Sequence, residues 1–396
     1  MTTVVIAPDG FKGSIAAADA ASALADGWRS VQPDADIVVR PMADGGEGTL
    51  AAFAAAVPGA RRMPVRVSGP AGDVVDAAWL LLPDATGVVE LASTSGIELL
   101  GDRRLPWDAD TTGFGQAIAA ALDAGARRLV LGIGSSASTD GGVGMLSALG
   151  ARFVDAAGAA VARGARGLVR LAAVDLVGLR PLPPEGVVVL SDVTHPLLGP
   201  SGAAAVFGPQ KGFAHDELAA ADAGLVRLAD VLGTVHRGVD LVVPGSADLA
   251  APGPADLAAP GSAALAVPGS ATPGAGAAGG TGFGLLAWGA RLVPGSAEVA
   301  ELIGLPDALA RADVVITGEG SFDGQSAAGK APARVTELAA SAGVPALLVA
   351  GRIAPDADLG GFAAALSLTE LAGSPASALA DPARWLRAAG VALARR

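Results

Sequence analysis

The stretch "TTVVIAPD", residues 2–9, decides the fold. It is a short apolar run, rich in β-branched side chains, that stops at a Pro-Asp turn, and a helical pattern follows over residues 16–28. "DIVVRPMADGGEGT", residues 36–49, repeats the scheme: strand, glycine turn, then the helix-like "LAAFAAAV". Further strands are expected at 128–131, 187–190, 314–317 and 346–350, each running into a Gly- or Asp-rich loop. Strands alternating with helices predict an α/β protein with a largely parallel sheet. Ligands of such sheets bind beyond the carboxyl ends of the strands, where these loops collect.

The middle of the chain differs. "MPVRVSGPAGDVVDAAWLLLP", from Met63, alternates as an antiparallel ribbon does, so a second domain is expected there, inserted into the first. The expected division is 1–63 plus 280–396 for the first domain and 64–279 for the inserted one. From Pro244 the chain reads "PGSADLAA", "PGPADLAA", "PGSAALAV", "PGSATPG", an eight-residue period to about 272. A Pro-Gly break in every period, with mostly alanine between, leaves little to bury; this is read as a flexible insertion without chemistry.

With 396 residues, half of them hydrophobic, the chain can build two cores. The absence of cysteine excludes disulfides and thiolate metal sites. A formal charge of −12 argues against a nucleic-acid surface. No basic region followed by an apolar run opens the sequence, and the uncharged stretch 257–290 is too broken by Pro and Gly to cross a bilayer. A cytoplasmic protein without membrane or nucleic-acid partners is expected; a homo-oligomer is left open.

The chemistry is read from scarce residues. Of 27 Lys and Arg, only Lys12, Lys211 and Lys330 are lysine, which leaves 24 arginines. All three lysines sit beside glycine, in "FKGS", "GPQKGF" and "AAGKAP", where a compact ammonium can approach a phosphate or carboxylate as a point charge. The carboxylates behave alike: Asp9 ends the first strand, Asp44 and Glu47 lie in "ADGGEG", Asp140 in "STDGG", Asp192 follows "VVVLS", and Glu319 and Asp323 lie in "TGEGSFDG". Carboxylates at the ends of successive parallel strands converge at one sheet edge, where they suit magnesium and proton abstraction in phosphoryl transfer. "GIGSSASTDGG" carries Gly132-x-Gly134-x-x-Ala137, with Asp155 downstream, which fits a dinucleotide fingerprint. Its further glycines favour instead a loop whose N–H groups and hydroxyls, at Ser135, Ser136 and Thr139, wrap phosphate oxygens. The three histidines have no zinc spacing, and His195 lies near Asp192.

Taken together, "APDGFKGS", "PMADGGEGT", "GIGSSASTDGG", "SDVTHPLLGPSGAAAVFGPQKG", "PGAGAAGGTGFG" and "VVITGEGSFDGQSAAGKAP" resemble the bacterial type I glycerate kinase family. The resemblance spans nearly the whole chain outside the repeat. It implies two α/β lobes, a flavodoxin-like one built from both chain ends and a mixed α/β insertion. It implies ATP-dependent, magnesium-assisted phosphorylation of D-glycerate, giving 2-phosphoglycerate. "GQSAAGKAP" is then a piece of that site rather than a damaged P-loop. On this resemblance Asp192, Asp44 and Lys12 are the catalytic candidates. Asp9, Ser14, Gly45, Glu47 and His195 are expected to bind substrate. Gly134, Ser135, Ser136, Thr139, Lys211 and Lys330 are expected to hold ATP, and Asp192, Glu319 and Asp323 magnesium. The family usually has Ser at Gly10, Gly at Ser135, Asn at His195 and Arg or a similar residue at Ser321, departures that bear on substrate preference and on one phosphate or carboxylate contact. The rivals are an NAD(P)-dependent oxidoreductase acting on a small hydroxy acid, which would use the same "GIGSSA" loop, and a sugar-acid-binding protein without turnover.

Overall fold

The computed structural model describes residues 1–236, 269–324 and 331–396. Lys330, the segment 325–330 and the repeat as far as residue 268 lie outside the described residues. The chain divides into two compact units, Met1–Arg61 with Val293–Arg396, and Arg62–Leu292. The first begins with strands β1 (Thr3–Pro8) and β2 (Asp36–Val39). The chain then runs through β3 (Arg61–Ser68), β4 (Val74–Leu81), β5 (Thr86–Glu90), β6 (Arg128–Gly132), β7 (Arg152–Asp155), β8 (Leu171–Asp175), β9 (Val187–Leu190) and β10 (Arg291–Val293). It returns for β11 (Val314–Phe322), β12 (Ala346–Ile353) and β13 (Ala364–Ser367).

In the first unit the strands order β2-β1-β11-β12-β13, and every pair is parallel. This is the flavodoxin-like order, with its topological switch point between β1 and β11. The reason is in the opening stretch. Val4, Val5, Ile6 and Ala7 are all fully buried, as a parallel strand covered on both faces requires. One cover is the helix Ala17–Arg29, which packs on the helix Pro382–Ala394. The two approach so closely that a Cβ on Gly27 would stand 2.1 Å from the Arg387 carbonyl oxygen. Leu24 and Leu386, both fully buried, belong to the core formed there; truncating either to alanine should cost about 2–5 kcal/mol.

In the second unit the main sheet orders β10-β9-β6-β5-β4-β3. β5, β6 and β9 run parallel while β4 is antiparallel to β5, so the sheet is mixed. β3 and β4 are joined by a tight turn in which Gly69 N donates to Asp73 O at 2.7 Å, the ribbon expected from the alternation. β7 and β8 form a separate antiparallel pair. Trp79, Phe114, Leu129, Val189, Phe283 and Trp288 fill the core. Among the described residues no helix is long and apolar enough to cross a membrane.

Candidate active site

In the first unit the expected residues gather at the carboxyl ends of β1, β2 and β11. Backbone bonds extend the β1–β2 pairing beyond β2, Arg40 N to Ile6 O and Met42 N to Pro8 O, both at 2.8 Å, so Asp44 follows Asp9 around one edge. Asp9 N donates to Gly318 O at 2.8 Å, next to Glu319. Burial, together with the charges of Asp44 and Glu319, pushes the Asp9 carboxyl up to about 7, while the Gly10 N–H and the Lys12 charge pull it down. Residues 11–15 form a tight turn in which Phe11 N donates to Ile15 O and Ser14 N to Phe11 O, both at 2.9 Å. Buried Phe11 anchors the turn, and Lys12, Gly13 and Ser14 are exposed at its tip. In "ADGGEG", Gly46 N donates to Asp44 Oδ1 at 2.9 Å, Gly45 is buried and Glu47 is exposed. Glu319 lies buried within β11, and Asp323 follows its last residue.

The second unit gathers the phosphate-loop candidates. β6 ends at Gly132, and residues 133–142 then run as a loop before the helix Val143–Ala148. Gly134 and Ser135 lie at its start; Ser135 has φ +60°, the left-handed region, so the serine occupies a conformation that glycine adopts without strain. Ser136 Oγ lies 3.2 Å from Ser138 Oγ and donates to Ala278 O at 3.3 Å. Thr139 is 1% exposed, and its Oγ1 is buried with no hydrogen-bond partner among the described residues. Such a hydroxyl costs about 1–3 kcal/mol unless something pairs with it. Lys211, 2% exposed, donates from Nζ to the Ser138 carbonyl. Burial pushes its ammonium down to about 7, against the opposing pull of Asp140. A second glycine turn closes over this group: a Cβ on Gly279 would stand 2.0 Å from Ser138 O and 2.8 Å from Lys211 Nζ.

Asp192 is exposed just beyond β9, the neighbour of β6, so its loop and the phosphate loop leave the same sheet edge. His195 Nδ1 faces the Ser201 carbonyl at 3.0 Å and must carry the hydrogen there, since a carbonyl only accepts. The Phe207 ring meets the imidazole edge-on. At position 321 the cation missing from the sequence is supplied in space, because Arg352 Nη2 donates to Ser321 Oγ at 3.2 Å. The dinucleotide reading loses its partners: no helix starts at once after Gly134, and Asp155 Oδ1 accepts from Ala157 N and Ala159 N, capping a hairpin turn.

Sequence reasoning missed Asp140's partners, Thr111 and Gly144, and the role of Gly279. Thr111 acts through its N–H and its hydroxyl across 29 residues, and Gly144 and Gly279 through close backbone approach, none of which a local pattern announces.

Both implied ligands fit these residues. The orphaned Thr139 hydroxyl and the enclosed Lys211 amine suit phosphate oxygens. For magnesium, Asp44 and Glu319 are hard oxygen donors, and the charges of both bear on Asp9. Among the described residues no three His, Asp or Glu side chains form a ready-made cage. Magnesium is ordinarily held by one or two carboxylates together with water and substrate phosphates.

A family model described as the Glycerate kinase family matches residues 4–396. The glycerate kinase of Bacillus subtilis is 40% identical over 363 residues, 90% of this chain and 86% of that protein. The glycerate 2-kinase of Escherichia coli is 38% identical, covering 89% of this chain and 86% of its own. A crystal structure of a putative glycerate kinase 2 from Salmonella typhimurium LT2 superposes with a TM-score of 0.80 at 36% identity, over 100% of this chain and 97% of that one.

Proposed function

The chain belongs to the glycerate kinase family, and from that premise we propose that it phosphorylates D-glycerate from ATP with magnesium, giving 2-phosphoglycerate. The product position follows the name of the Escherichia coli relative. The observation that carries the nucleotide part is the buried, unpaired Thr139 Oγ1 beside the enclosed Lys211. Phosphate oxygens accept from both groups and would offset both costs.

When bound, ATP and magnesium supply the phosphoryl group and part of the charge that screens it. The chain's residues do the rest. Lys211 takes up charge developing on phosphate oxygens, while Thr139 Oγ1, Ser135, Ser136 and the loop N–H groups orient them; Lys330 is proposed for the same task. Asp9 accepts the proton of the glycerate hydroxyl. A carboxyl with a pKa of about 7 is matched to that work at neutral pH, and the negative charge of Asp44 helps keep it basic. Lys12, Ser14 and the backbone of Gly45 hold glycerate, with Glu47 as a further contact. Glu319 and Asp323 are the carboxylates proposed to hold magnesium, and Asp192 is a further candidate ligand.

The direct test mixes protein, ATP, magnesium and D-glycerate and follows ADP, with phosphorus NMR of the product. ADP formation no faster than without glycerate sinks the reading, and a 3-phosphate product corrects the position. A narrower test is Thr139→Val. The variant should melt no lower than the wild type, because the hydroxyl has no partner to lose. Its KM for ATP should rise roughly tenfold, the worth of about 1.4 kcal/mol. A lower melting temperature with unchanged KM would give Thr139 a structural role only.

A further inference from the structure

We propose that Asp140 is a positioning residue for nucleotide binding, which fixes the turn at 138–144 against the start of the helix Thr112–Asp123. This deepens the nucleotide reading above and rests on it.

Asp140 is completely buried. Its Oδ2 accepts from Thr111 N at 3.0 Å, Thr111 Oγ1 at 2.8 Å and Gly144 N at 3.1 Å, and its Oδ1 accepts from Gly142 N at 3.2 Å. Thr111 Oγ1 in turn accepts from Met145 N at 2.9 Å. Thr111 stands just before the helix Thr112–Asp123, and Gly142 just before the helix Val143–Ala148. One carboxylate thus satisfies backbone donors at the starts of two helices, where orphan N–H groups and the positive dipole end favour a negative charge.

The joint is tight. A Cβ on Gly144 would lie 2.7 Å from Thr112 N, 2.9 Å from Thr111 N and 3.0 Å from Asp140 Oδ2. Thr139, with the unpaired hydroxyl, and Ser138, whose carbonyl holds Lys211, are the two residues just before Asp140. Whatever fixes Asp140 therefore fixes both groups that would meet the phosphates. The other charges nearby leave it this task. Asp110, the next carboxylate, is engaged by Arg163 through Nε at 2.7 Å and Nη2 at 3.0 Å, and Lys211 is turned to Ser138. Among the described residues Asp140 itself hydrogen-bonds only backbone N–H groups and the Thr111 hydroxyl, so it acts through the loop and not on substrate.

The test uses the full-length enzyme and measures KM for ATP, KM for glycerate, kcat and melting temperature. Asp140→Asn turns one acceptor into a donor facing backbone N–H groups, and Thr111→Val removes the hydroxyl at the same joint. Each should raise KM for ATP by about 20-fold and leave KM for glycerate within about twofold, since the glycerate contacts proposed on the first unit are untouched. Thr111→Ser, which keeps the hydroxyl, should stay within about threefold of wild type. Wild-type KM for ATP in both disruptive variants overturns the proposal. So does a parallel rise of both KM values with a lower melting temperature, which would mark a purely structural role. Should Asp140→Asn fail to fold, Thr111→Val against Thr111→Ser decides alone. The wild-type control separates the failures: no turnover of ATP with glycerate removes the kinase reading and this proposal with it, whereas normal turnover with indifferent variants removes this proposal only.

Discussion

Lys211→Met should lower kcat by about 10³-fold and at the same time raise the melting temperature of the ligand-free protein at pH 6. The two effects share a cause. An enclosed ammonium is disfavoured by burial, which brings Lys211 from 10.5 to about 7. Between those values the unfolded chain holds a proton that the folded one does not, so wild-type stability rises with pH across the window from about 7 to 10.5. Below pH 7 both states are protonated and the full cost of burial is present, at most about 5 kcal/mol for a shift of that size. Methionine removes that cost and gives up the hydrogen bond to the Ser138 carbonyl, about 1 kcal/mol, so the variant should be more stable at pH 6 and gain little at pH 10. Phosphate oxygens beside Nζ favour the charged form. ATP binding above pH 7 should therefore take up a proton, visible by calorimetry in buffers of different ionisation heat, and ATP affinity should weaken as pH rises toward 9. Arginine is not expected to rescue the position, because a planar fork does not fit where Gly279 already approaches Nζ so closely. Unchanged kcat in Lys211→Met, or a lower melting temperature at pH 6, removes Lys211 from this role.

The stretches that announced themselves in the sequence are those where local pattern and tertiary demand agree. Residues 2–9 and 36–49 read as strand and turn because the first apolar run is buried, the second is partly buried, and Gly45 and Gly48 do turn; the helix expected at 16–28 is Ala17–Arg29. β11 was legible only to Thr317. It continues through Gly318, Glu319 and Gly320 to Phe322 because β12 pairs with it as far as Ile353, and inter-strand hydrogen bonds outweigh the low strand propensity of glycine. β13 was missed altogether: "AALS" has no β-branched residue and is held by pairing with β12. The candidate site divides in the same way. Acids and lysines in glycine turns stand out because such residues are unusual there. The Asp140 joint does not, because Thr111, which donates to it from both N–H and hydroxyl, lies 29 residues away in sequence, and its other donors are backbone N–H groups. Ser321 shows the limit from the other side: the sequence loses a cation at that position, and a residue 31 positions away brings one to it.

Asp9→Asn should reduce kcat by about 10²–10⁴-fold if Asp9 is the base, and the same change should stabilise the metal-free protein in alkaline buffer. The wild-type carboxyl is raised from 3.8 to about 7 by burial first, then by Asp44 and Glu319. A group raised on folding contributes its stability fully below about 3.8, and that contribution is lost as pH climbs through 7. Above 7 the folded protein carries a buried anion beside two others, at a cost of up to about 4 kcal/mol, moderated by the solvent that reaches this half-buried residue. Asparagine has no proton to lose, so the melting temperatures of variant and wild type should separate between pH 4 and 7 and stay apart at pH 8. Activity should show the counterpart. Wild-type kcat/KM should fall on the acid side as Asp9 protonates, and the residual activity of the variant should lose that limb. Asp44→Asn supplies the control for the cause: removing one neighbouring charge should move the acid limb to lower pH while Asp9 remains in place. If Asp9→Asn keeps both the limb and the rate, proton abstraction belongs to another carboxylate. Asp192 is then the next to test, since it lies exposed just beyond β9.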